Sequence, residues 1–275
     1  MRIPSIRELF AAGFWKAARA LSSVPVRAEP RWHEVRSGPL QGVELYLDPR
    51  DGSSGEMLAG IYDDFLFEAL EEHGAFNEGA VVWDVGAHMG YDSMVFASLV
   101  GSEGHVYAFE PNPYNGERLR RHLARNLHLN DRVELHQCAV SSLDGELPFR
   151  LSSDYFLGSI GYLDMGDQLP SDRISHEMYE RLQSVVVPVR TLDSLFNDGL
   201  LPPSLVKIDV EGAEAQVLEG GSDLLALVKP QLLIEVHSIK SMFAVQRMLL
   251  SHGYVPTFFD DLRHPSSSRG FVVAE

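Results

Sequence analysis

A chain of 275 residues with 45% hydrophobic and 23% charged side chains can bury one sizeable core and a small appendage, which excludes a disordered or collagen-like polymer. Acidic residues outnumber basic ones 39 to 23, and the resulting net charge of -16 opposes a non-specific grip on nucleic acid, so a small neutral or cationic ligand fits better. The single cysteine, Cys138, can supply neither an intrachain disulfide nor a cysteine-rich zinc site, and a reducing cytoplasm is the expected compartment. No run approaches the roughly 18 apolar residues of a spanning helix. The apolar stretch 9–21 is interrupted by Lys16 and Arg19 instead of ending in a cleavage site, so a soluble, unprocessed chain is expected.

In chain order, Ile3, Ile6, Phe10, Phe14, Ala17 and Leu21 recur at spacings of three and four, one stripe of an amphipathic helix within residues 1–28. Five basic residues there face one acidic residue. Such a helix rests either on an anionic membrane surface or partner, or on its own acidic domain. Prolines at 25, 30 and 39 precede "VELYLDP" (43–49), whose alternation reads as a half-buried strand of a small entry hairpin. Residues 61–73 read as a helix.

From residue 80, short apolar runs alternate with helical segments, the pattern of a parallel sheet covered on both faces and hence of an α/β fold. The expected strands are 80–85, 105–109, 132–138, 204–209 and 231–236, and the expected helices lie near 91–100, 113–128, 213–227 and 239–252. Residues 141–190 break this rhythm with Gly158, Gly161, Gly166, Pro170, Tyr155, Phe156, Tyr162 and Tyr179, and read as a substrate-facing insertion. Tyr155, Phe156 and Tyr162 either stack on a sugar ring or form the insertion's own core. The tail from Gly253 reads as a closing antiparallel strand pair around a turn-rich loop. The division expected is a helical and hairpin extension over 1–54 and a catalytic domain over 55–275.

Three strand ends carry chemistry. "VVWDVGAHMGYDS" (81–93) is an apolar strand that stops at a glycine turn and opens a helix, where Gly86 and Gly90 let a ligand approach the backbone. The three-glycine fingerprint of a dinucleotide site is missing, since Ala87 and His88 follow Gly86. "VYAFEPNP" (106–113) ends a second strand at Glu110, placed to accept hydrogen bonds from both hydroxyls of a ribose before Pro111 stops the strand. A nucleoside without a pyrophosphate satisfies both features, and S-adenosylmethionine is the commonest such cofactor. "LVKIDVEGAEAQVLEGG" (205–221) brings Asp209 and Glu211 to a third strand end, so Asp84, Glu110 and Asp209 surround a cationic sulfonium with matching charge. The Asp/Asn-Pro-Pro-aromatic motif of amino-group methylation of nucleobases is absent.

"DVGAHMG", "FEPNP", "VPVRTLDSLF" (187–196) and "KIDVEGAE" (207–214), in that order, resemble the FkbM-type methyltransferases over about residues 55–240. The resemblance implies a Rossmann-like class I methyltransferase sheet, mostly parallel with the antiparallel C-terminal pair, and S-adenosylmethionine-dependent O-methylation of a sugar-containing or polyketide-type metabolite. Carried onto this chain, it assigns Gly86, Ala87 and Gly90 to the methionine end, Glu110 to the ribose, and Asn112 with Ala139–Ser142 to the adenine. Asp84, His88, Pro111, Ser141 and Asp209 complete the expected cofactor set. Family members often carry an Asp in the adenine loop, where this chain has Ser141 and Ser142.

Methyl transfer to an alcohol gains from a base that takes the hydroxyl proton, by about 10²- to 10⁴-fold. His237, after the apolar run "QLLIEV", and Asp209 are the candidates, and Glu235 shares a strand face with His237. Three readings stay open: His237 is the base, or Asp209, Glu235 and His237 hold a divalent metal, or the group is a hydrogen-bonded structural network. Replacing His237 by Ala is expected chiefly to lower turnover. His88 is expected to contact cofactor or pack against backbone, and most of the other histidines to be exposed. The rival functions are a nicotinamide-dependent oxidoreductase and a non-catalytic module that binds S-adenosylmethionine.

Overall fold

The computed structural model describes residues 30–48, 53–73, 77–152, 161–164, 182–260 and 270–275. The expected N-terminal helix, and Tyr155, Phe156, Gly158, Gly166, Pro170 and Tyr179, lie outside the described residues. No helix among the described residues is long and apolar enough to cross a membrane.

The expected entry hairpin is β1 (Arg31–Glu34) against β2 (Glu44–Leu47), antiparallel with Arg31 opposite Leu47. Alternation sends Leu45 and Leu47 inward, where they join Val35, Leu40 and Val43 in an apolar cluster shared with Val82 and Leu119. Two helices follow, α1 (Ser54–Ala59) and α2 (Asp64–Glu72). The second starts later than its apolar pattern implied, because Asp63 takes a left-handed conformation with φ 53°.

The central sheet contains β3 (Val81–Val85), β4 (His105–Phe109), β5 (Val133–His136), β10 (Leu205–Ile208), β11 (Gln231–Val236), β12 (Pro256–Phe259) and β13 (Gly270–Ala274). Its order is β12-β13-β11-β10-β3-β4-β5. The five strands from β11 to β5 are parallel, and β13 is antiparallel to both β11 and β12, as expected. Alternate residues feed two cores: Val82, Ala108 and Leu205 face the cluster under the hairpin, whereas Trp83, Phe109 and Val206 face the other side. From β3 the chain moves outward through β4 and β5, then returns to lay β10 on the other side of β3. The carboxyl ends of β3 and β10 therefore flank the switch point where open α/β sheets bind ligands.

The covering helices are α3 (Tyr91–Leu99), α4 (Pro113–Arg125), α5 (Leu127–Asn130), α6 (Leu192–Asn197), α7 (Glu214–Glu219), α8 (Ser222–Leu227) and α9 (Ile239–Ser251). Two expected helices are each broken in two. The segment 113–128 is interrupted at Asn126, whose side chain accepts from the Glu44 N–H at 2.9 Å and donates to its carbonyl at 2.8 Å, tying the helix end to the hairpin. The segment 213–227 is interrupted at Gly220 and Gly221, and a Cβ on Gly220 would meet the Ser141 carbonyl oxygen at 2.2 Å.

The insertion 141–190 contributes strands that its composition does not announce. With β6 (Ala139–Val140) just before it, its β7 (Gly145–Leu151), β8 (Gly161–Leu163) and β9 (Gln183–Arg190) form a second sheet in the order β6-β9-β7-β8. Phe149, Leu151, Leu163, Val187 and Val189 give it a small core of its own. A capping box between Thr191 and Ser194 then starts α6, which explains the "RTLDS" part of the third motif.

Candidate functional site

A cavity of about 380 Å³ opens at the carboxyl ends of β4, β3, β10 and β11. Gly86, Ala87 and His88 from the turn after β3, Glu110 and Pro111 after β4, Ala139 of β6 and Asp209 after β10 all lie on its wall. Those seven belong to the expected cofactor set. Asp84, Gly90, Asn112 and Ser141 stand behind the wall and support it. Asp84 is fully buried and accepts from the Ser93 hydroxyl at 2.5 Å. Gly90 has φ 85°, and a Cβ there would meet Leu119 Cδ1 at 2.1 Å. Asn112 caps α4 by accepting from the Tyr114 N–H at 3.0 Å, and the Ser141 N–H donates to the Arg190 carbonyl at 2.9 Å.

The glycine turn is held from two sides. The Gly86 and Ala87 N–H groups donate to the Phe109 carbonyl at 3.0 and 3.1 Å, and the Asp209 N–H donates to the Val85 carbonyl at 2.9 Å. Glu110 reaches back across this turn. Its Oε2 accepts from the His88 N–H and its Oε1 from the Asn112 N–H, each at 2.8 Å. Burial pushes the carboxyl up to about 7, against the lowering effect of those N–H groups. A carboxylate has about four acceptor positions, so ribose hydroxyls can still be taken.

Sequence reasoning passed over Lys207 and Asp92. Lys207 lies on the wall, only 4% exposed, with its Nζ 3.1 Å from Asp92, 3.5 Å from Asp209 and 3.6 Å from Asp84. Burial opposes its charge, yet the three carboxylates outweigh burial and hold its pKa well above the usual lysine value. Burial raises Asp92 to about 6, with Lys207 pulling the other way. The signal was present, because a lysine inside a wholly buried apolar strand needs a buried counter-charge. Tyr162, from β8, is buried on the wall, as are the aromatic Tyr91 and Phe149.

His237 is 1% exposed and sits behind the wall, in contact with carboxylates that line it. Its Nδ1 is 2.8 Å from Glu214, and its Nε2 is 3.3 Å from Glu235 and 3.5 Å from both Asp209 and Glu211. Glu214 also accepts from the Gly212 N–H at 2.7 Å and from the Ser241 hydroxyl. Burial disfavours charge on the imidazole, but the bonds to Glu214 and Glu235 and the charges of Glu211 and Asp209 raise its pKa well above the usual value. Asp209 and Glu211 remain 28% and 32% exposed. Glu211 has φ 53°, a strained conformation for a non-glycine residue beside a ligand pocket. Ligand atoms of Asp209, Glu235 and His237 lie within 4.8 Å of one another, close enough to share a metal ion.

The expectation that most of the other histidines are exposed fails among the described residues, where only His128 is exposed, and His122 departs furthest. It is fully buried, accepts from the Tyr46 N–H at 3.1 Å through Nε2 and faces the Met89 carbonyl at 3.1 Å through Nδ1. Burial lowers its pKa to about 4, so it is neutral and joins the hairpin to the glycine turn.

A parallel sheet with its crevice at the β3/β10 switch point, a glycine turn without the dinucleotide fingerprint and an acid at the next strand end define the Rossmann-like class I methyltransferase architecture. Residues 84–264 match the family model described as the Methyltransferase FkbM domain, and the chain belongs to that family. It is 31% identical over 201 residues to 31-O-demethyl-FK506 methyltransferase FkbM of Streptomyces tacrolimicus, covering 64% of this chain and 73% of that protein. It is 29% identical over 162 residues to the hexuronic acid methyltransferase AglP of Haloferax volcanii, covering 58% of this chain. That match spans 57% of the relative's own length, under two thirds of it. The crystal structure of Methyltransferase FkbM from Methylobacillus flagellatus KT is similar in fold, with a TM-score of 0.51 at 17% identity over 81% of this chain and 54% of that one.

Proposed function

We propose that the protein is an S-adenosylmethionine-dependent O-methyltransferase acting on a hydroxyl of a sugar-containing or polyketide-type metabolite. The observation that carries this reading is Glu110, a buried carboxylate on the pocket wall, one strand over from a glycine turn too short of glycines for a pyrophosphate. The relatives named above, one a methyltransferase of a hexuronic acid and one of 31-O-demethyl-FK506 by their names, support the acceptor class.

The residues present fit such a donor. The Gly86 backbone lies on the pocket wall, and Asp92 Oδ1 is buried there with no hydrogen-bond partner. When bound, S-adenosylmethionine supplies an electrophilic methyl group on a cationic sulfur. Glu110 accepts from the ribose hydroxyls, and Gly86, Ala87 and Pro111 give the nucleoside a close, apolar floor. Asp209 is the group we assign to the acceptor proton, because its carboxylate lies on the wall and is partly exposed. His237 stays protonated behind it and, bonded to Glu214, holds the Asp209, Glu211 and Glu235 side chains together. Most of the acceleration comes from orientation, which places the acceptor oxygen about 3 Å from the methyl carbon.

The test is transfer of isotopically labelled methyl from S-adenosylmethionine to a panel of free sugars, glycosides and macrolide alcohols. Label appearing as a base-stable methyl ether on one of these supports the reading. Label appearing only on nitrogen, or the same label incorporation with Asp209→Asn as with the unmodified protein, contradicts it.

A further inference from the structure

We infer that Lys207 is the receptor for the α-carboxylate at the amino-acid end of the donor, which makes the methionine half of the pocket selective for a zwitterion. The inference rests on the donor reading above and deepens it.

Sheet order locates the two ends of the ligand. β4, β3 and β10 are consecutive neighbours, so Glu110 and Lys207 belong to strands that flank the glycine turn on opposite sides. Two strand spacings separate those strands by about 10 Å. With ribose on Glu110, the arm of the donor crosses Gly86 and arrives between β3 and β10, where Lys207 and Asp92 stand. That arm ends in one ammonium and one carboxylate.

Among the described residues on the wall, Lys207 is the lysine or arginine present, whereas Asp92, Glu110, Asp209, Glu211 and Glu235 are all carboxylates. A carboxylate ligand placed anywhere else on this wall would face acids at close range in a poorly hydrated site. The ammonium end has the opposite preference and is served by Asp92, whose Oδ1 is unpartnered on the wall. Lys207 also has donor capacity to give. Only its 3.1 Å approach to Asp92 lies within ordinary hydrogen-bond range, and the separations of 3.5 and 3.6 Å from Asp209 and Asp84 are charge contacts beyond it. The first turn of α3 offers backbone N–H groups to the same region, but it carries Asp92, which repels an anion unless Lys207 compensates. The three surrounding carboxylates keep Lys207 protonated through neutral pH.

The experiment compares two nucleosides by calorimetry. S-adenosylhomocysteine carries the amino-acid arm, and 5′-methylthioadenosine has the same adenosine and sulfur without it. Lys207→Met is expected to weaken S-adenosylhomocysteine binding at least tenfold while leaving methylthioadenosine within twofold of the unmodified protein. Because methionine leaves Asp84, Asp92 and Asp209 without their cation, Lys207→Met/Asp92→Asn is measured beside it and is expected to show the same selective loss. Equal losses for both nucleosides, or no loss for either, in whichever variant folds would overturn the assignment. Failure of the unmodified protein to bind either nucleoside would sink the donor reading itself, a distinct result.

Discussion

Gly86 and Asp209 touch through their backbones: a Cβ built on Gly86 would lie 1.8 Å from the Asp209 carbonyl oxygen. The same glycine has φ 87°, in the left-handed region, so both conformation and space exclude a side chain. The contact brings the ends of β3 and β10 together and so sets the floor of the pocket. Gly86→Ala should cost about 1–3 kcal/mol in backbone strain, with a further loss as the two strand ends part. Thermal unfolding and S-adenosylhomocysteine titration should both deteriorate. Unchanged stability and affinity in this variant would show that the turn is not held in this way.

Glu110 is expected to impose opposite pH trends on binding and stability. Its native pKa of about 7 lies above the ordinary 4.5, so between those values the folded protein holds a proton that the unfolded chain releases. Its contribution to stability is therefore largest below pH 4.5 and declines as pH rises to about 7. Ribose recognition needs the ionised form, so nucleoside affinity should rise across the same interval and level off above it. Glu110→Gln should remove both trends and weaken binding by about 1–3 kcal/mol. Titrations at several pH values read the first effect, and melting curves in the same buffers read the second.

His237 is buried against Glu214, which changes what its replacement does. The sequence led us to expect an effect chiefly on turnover. In the structure, His237→Ala also strands the buried Glu214 carboxylate, a loss of about 3–5 kcal/mol. Since the native imidazole pKa is raised, its contribution to stability is complete below about pH 6.5 and is lost as pH climbs through the higher native value. The melting temperature of the unmodified protein should fall from pH 6.5 upward more steeply than that of His237→Gln. Parallel slopes would remove His237 from the charged network.

The Asp209, Glu235 and His237 cluster is expected to work as a proton-bearing network instead of a metal centre, because Glu214 on Nδ1 and the carboxylates at Nε2 favour the protonated imidazole, which has no lone pair for a metal. Millimolar Mg²⁺ or Mn²⁺ added after exhaustive chelation should leave the melting temperature unchanged. A rise that disappears in His237→Gln would assign a metal to this cluster.

The strands that frame the pocket were legible because β3, β4, β10 and β11 are buried on both faces and read as short, mainly apolar runs. The second sheet was not. β7 mixes Glu146, Pro148 and Arg150 with its apolar residues, and β9 carries Pro188, which argues against a strand. Its neighbour β6 pairs only with Val189 and Arg190, so Pro188 has no ladder bond to lose on that side. At the site, Glu110 and Gly86 were readable from their positions at strand ends. Lys207 stood out as a lysine within an apolar strand, but its partner Asp92 did not, because their pairing joins β10 to α3 through the fold and leaves no spacing along the chain. His237 was found by its place after β11, but its withdrawal behind Glu235 and Asp209 depends on Glu214, which only packing reveals.

Equilibrium titration of the purified protein with S-adenosylhomocysteine and, separately, with NADH bears most directly on the account. We predict saturable one-to-one binding of the first, lost or strongly weakened in Glu110→Gln, and no measurable binding of the second. Saturable NADH binding, or S-adenosylhomocysteine binding indifferent to Glu110, would contradict it.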